Sequence, residues 1–159
     1  MSATAYVWLT GAGLLFTVLW LRERHRTNAI RAMAMRSGFH YLGPALPNSL
    51  TLSGTPLENL TASWKVVDSE RNGVRVIAFD CRIGQGKGSW RRTVIAAESP
   101  LDIFGAARFD RDLIVDRSGR WTVLYRPKTV TFISHGLMSV SELEAHLGAI
   151  NPDRLTSSK

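Results

Sequence analysis

One cysteine, Cys81, stands alone among 159 residues. A lone thiol closes no internal disulfide, so nothing in the chain asks for an oxidising compartment. Cysteine-rich zinc sites are excluded with it. The four histidines, His25, His40, His135 and His146, stand at no metal-ligand spacing, so neither a metal nor a cofactor is expected. Acidic side chains are also few, 13 against 20 basic ones, for a formal charge of +7. Asp110, Asp112 and Asp116 alternate with Arg108, Arg111 and Arg117, the pattern of a solvated strand edge and not of a carboxylate dyad. His135 lies near Ser134 and Ser139 without a nucleophile-elbow context. No catalytic residue is assigned.

Charge is absent altogether from Ala3 to Leu21, a run of 19 residues that ends abruptly at Arg22-Glu23-Arg24-His25-Arg26. At about 1.5 Å per residue this run matches the hydrocarbon core of a bilayer, about 30 Å thick. Leu9, Leu14, Leu15, Phe16, Val18, Leu19 and Leu21 each favour insertion by about 0.3–0.6 kcal/mol near the helix centre. The threonines within the run can bond back to helix carbonyls, so they do not veto it. Tyr6 and Trp8 near one end and Trp20 near the other suit the two interfaces. A secretory signal would carry a charged stretch before the run and small residues after it, and this run has neither. A buried core helix would show a polar face, which is missing.

Five arginines, Arg22, Arg24, Arg26, Arg31 and Arg36, follow the run, and none precedes it. The positive-inside rule then predicts the N-terminus outside and the remainder in the cytoplasm. Residues 22–36 hold a net +4 of the total charge, and residues 37–159 hold +3. Over half of the excess therefore sits where anionic headgroups would meet it, and Arg22, Arg24 and Arg26 are the expected membrane-surface cations. The remaining domain is near balance, which argues against nucleic acid as a partner. The bilayer is the expected partner, with a second membrane or cytoplasmic protein as a further one.

Residues 22–37 read as a basic juxtamembrane helix stopped at Gly38, with Ile30, Met33 and Ser37 on one face. Residues 38–62 hold Pro44, Pro47 and Pro56, which predicts an extended connector with at most one short edge strand. Its leucines, 46, 50, 52, 57 and 60, are too many for a free linker and should pack on the domain. Asn72-Gly73 between two runs rich in β-formers is a strong hairpin signal. A two-residue turn there sets Glu70 against Arg75, Val67 against Ala78 and Lys65 against Asp80. Trp64, Val66 and Asp68 then face Cys81, Phe79 and Ile77.

Gly84–Ser89 should return the chain into Trp90–Glu98, and Ser99-Pro100 breaks that strand. Leu101–Phe109 reads as a loop or short helical turn. Asp112–Arg117 and Arg120–Arg126 flank Ser118-Gly119 as a third hairpin, and Val130–Ser134 adds a short strand. Ser139 with Glu142 forms a capping box, echoed by Ser141 with Glu144. Val140, Leu143, Leu147 and Ile150 make the apolar stripe of a C-terminal helix ending at Asn151-Pro152. Residues 152–159 read as a disordered tail.

Gly84-Gln85-Gly86-Lys87-Gly88 fails as a phosphate loop. Cys81 stands where the first glycine belongs, Gly88 follows the lysine, and strands flank both sides. With Trp90, Arg91 and Arg92, however, Lys87 makes a small cationic and aromatic patch able to meet headgroups or an acidic partner. The bland alternative is a solvated strand end.

The basic segment leading to Arg36-Ser37-Gly38-Phe39, the strand Gly73–Asp80 with its Gly86-Lys87 loop, and Arg120–Arg126 before the last helix carry a resemblance. In that order the chain resembles uncharacterised small bacterial single-pass membrane proteins with a cytoplasmic α+β domain of unknown function. The resemblance implies a bacterial inner-membrane location and carries over no functional residues. The expected architecture is α+β: a transmembrane helix over residues 3–21, then, over residues 63–151, an antiparallel sheet of about five strands with a C-terminal helix packed on it. The expected role is a membrane-anchored, non-enzymatic binding or assembly module. The alternative is a domain for anionic lipid headgroups or phosphate ligands, and a membrane-tethered enzyme ranks last.

Overall fold

The computed structural model describes residues 3–48, 50, 52, 55–71, 73–100, 114–118, 121–126 and 128–149. Helix α1 runs unbroken over Ala3–Ser37, 35 residues, or about 52 Å at 1.5 Å per residue. The apolar run and the basic segment are thus one helix. Thr10 and Thr17 donate to the carbonyls of Tyr6 and Gly13, each at 2.8 Å, so their hydroxyls are satisfied within the helix. Gly38 ends it at φ +71°, and Phe39 N–H donates to the Ala34 carbonyl at 2.8 Å. This is the left-handed cap that glycine adopts most readily.

Seven strands follow in one sheet. They are β1 (His40–Gly43), β2 (Leu60–Arg71), β3 (Val74–Ile83), β4 (Trp90–Glu98), β5 (Ile114–Ser118), β6 (Trp121–Arg126) and β7 (Thr129–Ser134). Their order is β1-β2-β3-β4-β7-β6-β5, and all neighbours are antiparallel. β2 to β7 occupy the six runs expected to be strands, and β1, four residues long, is the short edge strand allowed within residues 38–62, so the sheet is somewhat larger than the expected five. Helix α2 (Val140–Ala149) closes the chain's described part. The fold is α+β, with a long apolar N-terminal helix, an antiparallel sheet and a C-terminal helix. The expected turn or loop over residues 101–109, the Ser118-Gly119 turn beyond Ser118, Ile150 and the tail over residues 152–159 lie outside the described residues.

The β2–β3 hairpin keeps the expected register near its turn, where Gly73 adopts φ +75°. Glu70 pairs with Arg75, Asp68 with Ile77 and Val67 with Ala78. Beyond that the expectation fails by one residue as far as Ala62 and by two at Leu60, which pairs with Ile83. Trp64 pairs with Asp80 and Ser63 with Cys81, because the register shifts between Trp64 and Val67. Lys65 there takes φ +57°, so an extra residue sits in β2 as a β-bulge. The bulge turns two successive side chains, Trp64 and Lys65, towards α1, while Val66 points to the other face.

Each sheet face has its own apolar cluster. On one, Ile30, Met33 and Ala34 of α1 and Leu143 and Leu147 of α2 pack over Val67, Val76, Ala78, Ile95 and Val130. On the other, Val66, Ile77, Phe79, Cys81, Val94, Leu124 and Ile133 surround the buried Leu57. Leu46, Leu50, Leu52 and Leu60 flank that second cluster, so the proline-bearing segment lies against the sheet. Pro56–Asn59 within it forms a 3-10 turn capped by the Thr55 hydroxyl, which accepts from Leu57 N–H at 3.2 Å. In α2 the capping box forms as expected: Ser139 Oγ accepts from Glu142 N–H at 3.2 Å, and a Glu142 oxygen accepts from Ser139 N–H at 2.9 Å.

Candidate functional site

Val74, Val76 and Ala78 of β3 face the α1 side of the core, and the next residue in that alternation is a carboxylate, Asp80. It is 1% exposed, and a charge so deep must be paired. Arg26 supplies the partner as a fork: Nε to Oδ2 and Nη2 to Oδ1, both at 2.9 Å. Its third donor, Nη1, reaches the Met138 carbonyl at 2.6 Å. Thr93 Oγ1 donates to Asp80 Oδ1 at 2.8 Å and accepts from Met138 N–H at 3.0 Å. One bidentate pair therefore ties α1 to β3 and to the residues that lead into α2.

Lys65, 4% exposed, extends this network. Its ammonium lies 3.8 Å from Asp80 Oδ2 and donates to Glu23 Oε1 of α1. Arg91 Nη2 stands 3.8 Å from the other Glu23 oxygen. Burial raises the Glu23 pKa. The Lys65 hydrogen bond and the charges of Lys65, Arg91 and Arg26 outweigh that and hold it below the usual carboxylate value. Asp80 thus accepts hydrogen bonds from Arg26 and Thr93, with the Lys65 charge close by, and acts as a structural clamp. Among the described residues no three His, Cys, Asp or Glu side chains gather as a metal site.

An open groove of about 1240 Å³ borders the clamp. Its floor is the α1-facing side of the sheet, with Ala62, Trp64, Arg82 and Arg91. One wall is α1 from Leu19 to Ala29, and the other is Leu137–Ser141. β3 continues past Asp80 to Ile83, about 10 Å of strand. α1 runs back from Arg26 to Leu21 over about 7.5 Å of helix. The end of the apolar run and this end of the sheet therefore stand at similar height, and Leu19 and Arg22 share the groove with Arg82.

The four residues expected to form one cationic patch are divided by the sheet. Arg91 faces α1, stacks over the Trp64 ring at 5.0 Å and lines the groove. Arg92 pairs with Cys81 on the opposite face, and its Nη1 donates to the Ser134 carbonyl at 2.8 Å. Trp90, 62% exposed, pairs with Ile83 and borders a second cleft with Leu60, Gly84 and Gly88. Lys87 is exposed in the 3-10 turn Gly86–Gly88. The strand pleat causes the split, since neighbouring residues point to opposite faces. Of the expected membrane-surface arginines, Arg22 lines the groove and Arg24 lies exposed over Trp20 at 5.2 Å. Arg26 instead is turned inward as the clamp.

Sequence reasoning passed over Glu23, Arg82 and Thr93, and saw Asp80 only as a partner for Lys65. The legible signal was Asp80 itself, a carboxylate in phase with three core positions of an otherwise apolar strand. Comparison with protein-family models, with curated proteins and with solved structures finds no match for the chain.

Proposed function

We propose that the protein is a single-pass, membrane-anchored, non-enzymatic binding module of the bacterial inner membrane. Its N-terminus lies outside and its α+β domain is held in the cytoplasm against the inner leaflet. The observation that carries this reading is α1. It is one helix, long and apolar enough to cross a membrane, with none of its apolar window buried, and it continues without a break into the Arg26–Asp80 clamp. A rigid helix fixed at its base sets the domain's height and tilt relative to the bilayer, which a flexible tether would not. The arginine asymmetry supports the orientation.

Between a protein partner and an anionic ligand, the surface favours the ligand. Outside the apolar half of α1, the exposed large apolar side chains among the described residues are Met35, Leu42 and Trp90. That is too little for a hydrophobic docking patch. The groove, by contrast, is concave and lined by convergent cations.

Fusions after Lys159 in a bacterial host test the anchoring. A green fluorescent reporter there should fluoresce in the membrane fraction, and an alkaline phosphatase there should be inactive. Active phosphatase at that point would refute the orientation, and recovery of the full chain in the soluble fraction would refute the anchor. Replacing Arg22 and Arg24 by Gln should raise the inverted fraction while leaving the clamp in place.

A further inference from the structure

Arg82 and Arg91 are direct cross-strand partners on the α1-facing side of the sheet. Opposed residues on antiparallel strands stand about 4.5–5.5 Å apart at Cβ, and like charges so placed repel. No described carboxylate forms an ion pair with Arg82. Arg91 stands 3.8 Å from a Glu23 whose other oxygen already accepts from Lys65. Arg22 lines the same groove. The groove and its clamp thus hold Arg22, Arg26, Lys65, Arg82 and Arg91 against two carboxylates, Glu23 and Asp80, and both carboxylates are consumed by the clamp. Trp64 lines the groove as well, and its indole N–H is buried with no acceptor among the described residues.

We infer that this groove binds the phosphate of one anionic ligand between Arg82 and Arg91, with Arg22 closing over it from α1. A phosphate between two guanidiniums turns the cross-strand repulsion into charge-assisted hydrogen bonds. The Trp64 ring, over which Arg91 stacks, forms part of the groove floor beside the two guanidiniums. The source the position favours is the headgroup of an anionic membrane lipid, because Leu19, in the apolar run, lines the same groove. Acyl chains would then lie along α1 while the phosphate sits among the arginines. The membrane source rests on the anchored reading above, whereas the anion site itself rests only on the groove.

The test is native mass spectrometry of the full-length protein released from detergent, with phosphatidylglycerol, phosphatidylcholine or inorganic phosphate titrated in. Thermal unfolding of the same samples gives a second readout. One phosphatidylglycerol should bind per chain, at least tenfold more tightly than phosphatidylcholine. R82Q and R91Q should each weaken that binding at least tenfold. Without ligand, R82Q should unfold at the same temperature as the wild type or higher, since it relieves repulsion; a merely structural arginine would lower it. Lys128→Gln removes an exposed cation beyond the opposite end of the sheet and should change nothing. Inorganic phosphate that protects as well as the lipid would support the anion site and assign it to a soluble phosphate. No adduct with any probe, or an adduct that R82Q and R91Q leave unchanged, overturns the proposal. Detergent-released protein has no sides, so such a failure leaves the orientation standing, and an inverted reporter leaves the binding result standing.

Discussion

Arg26 and Asp80, 54 residues apart in sequence, meet as a two-pronged ion pair with both contacts at 2.9 Å. The carboxylate is 1% exposed, so the pair works in a medium where an unpartnered charge is heavily penalised. It is the point at which α1, β3 and the approach to α2 are joined. Replacing Arg26 by Gln should cost about 3–5 kcal/mol of stability, the usual consequence of stranding one member of a buried pair. Asp80→Asn should cost a similar amount because it leaves Arg26 and Lys65 facing each other. In chemical unfolding of the detergent-solubilised chain, the double variant should lose less than the sum of the single losses. Strict additivity would mean that the two side chains do not act as a unit.

Lys65 holds φ +57° within the β2 bulge, a region that costs an L-residue roughly 1–2 kcal/mol. The bulge presents Lys65 to Glu23 and Asp80 and also turns Trp64 towards the groove. Two substitutions separate backbone from charge. Lys65→Ala loses the ammonium and keeps the strain, whereas Lys65→Gly loses the ammonium and relieves the strain. The glycine variant should be the more stable by about 1 kcal/mol, read as a shift in the denaturation midpoint. Equal midpoints would mean that the bulge relaxes when the lysine is removed.

The signals that could be read from sequence were local ones. Asn72-Gly73 fixed the register of Glu70 with Arg75, and Ser139 with Glu142 announced the start of α2. The bulge was not legible. One extra residue between Trp64 and Val67 leaves no propensity mark, yet it moves the pairings of Ala62, Ser63 and Trp64 by one position, and a second shift moves Leu60 by one more. The placement of β7 beside β4 is a long-range choice that no window of sequence contains. The site was half visible for the same reason. Arg91 was picked out by its basic neighbours, but Arg92 proved to lie on the other face and Lys87 in the exposed turn before β4. Its true companion Arg82 sits nine residues away on β3, directly across the ladder. Arg26 looked like its exposed neighbours Arg22 and Arg24, since only a fold can show that Asp80 lies beneath it.

Glu23 gives the clamp an acid limit. Its pKa is held below the usual 4.5 because the hydrogen bond and charges around it outweigh the cost of burial. A group depressed in the folded state stabilises above its unfolded pKa, and that contribution is lost as pH falls through the lower, folded value. Thermal stability should therefore hold from neutral pH down to about the ordinary carboxylate range and decline below it. Glu23→Gln should be less stable than the wild type at pH 7, with the difference shrinking towards pH 3. A constant difference across that range would show that the carboxylate charge is not what Lys65 responds to.

Cys81 reports on the sheet face opposite α1. Its side chain is fully buried among Val66, Ile77, Phe79 and Val94. Burial first, and the Asp80 charge second, push its thiol up to about 12. Only the thiolate attacks an alkylating reagent, so both protonation and access protect it at mildly alkaline pH. Iodoacetamide at pH 8 should leave the native protein unmodified over an hour, while the urea-unfolded chain should take up one label. The rate of labelling at intermediate urea should follow the unfolded fraction. The cover on this face includes Leu57, with Leu46, Leu50 and Leu52 at its margin. Leu57→Ala should therefore speed labelling under native conditions, and by more than its loss of global stability, about 2–5 kcal/mol at most, accounts for at the same urea concentration. Rapid labelling of the unsubstituted native chain would mean that residues 44–60 lift off the sheet without global unfolding, and the packing argued for that segment would be wrong.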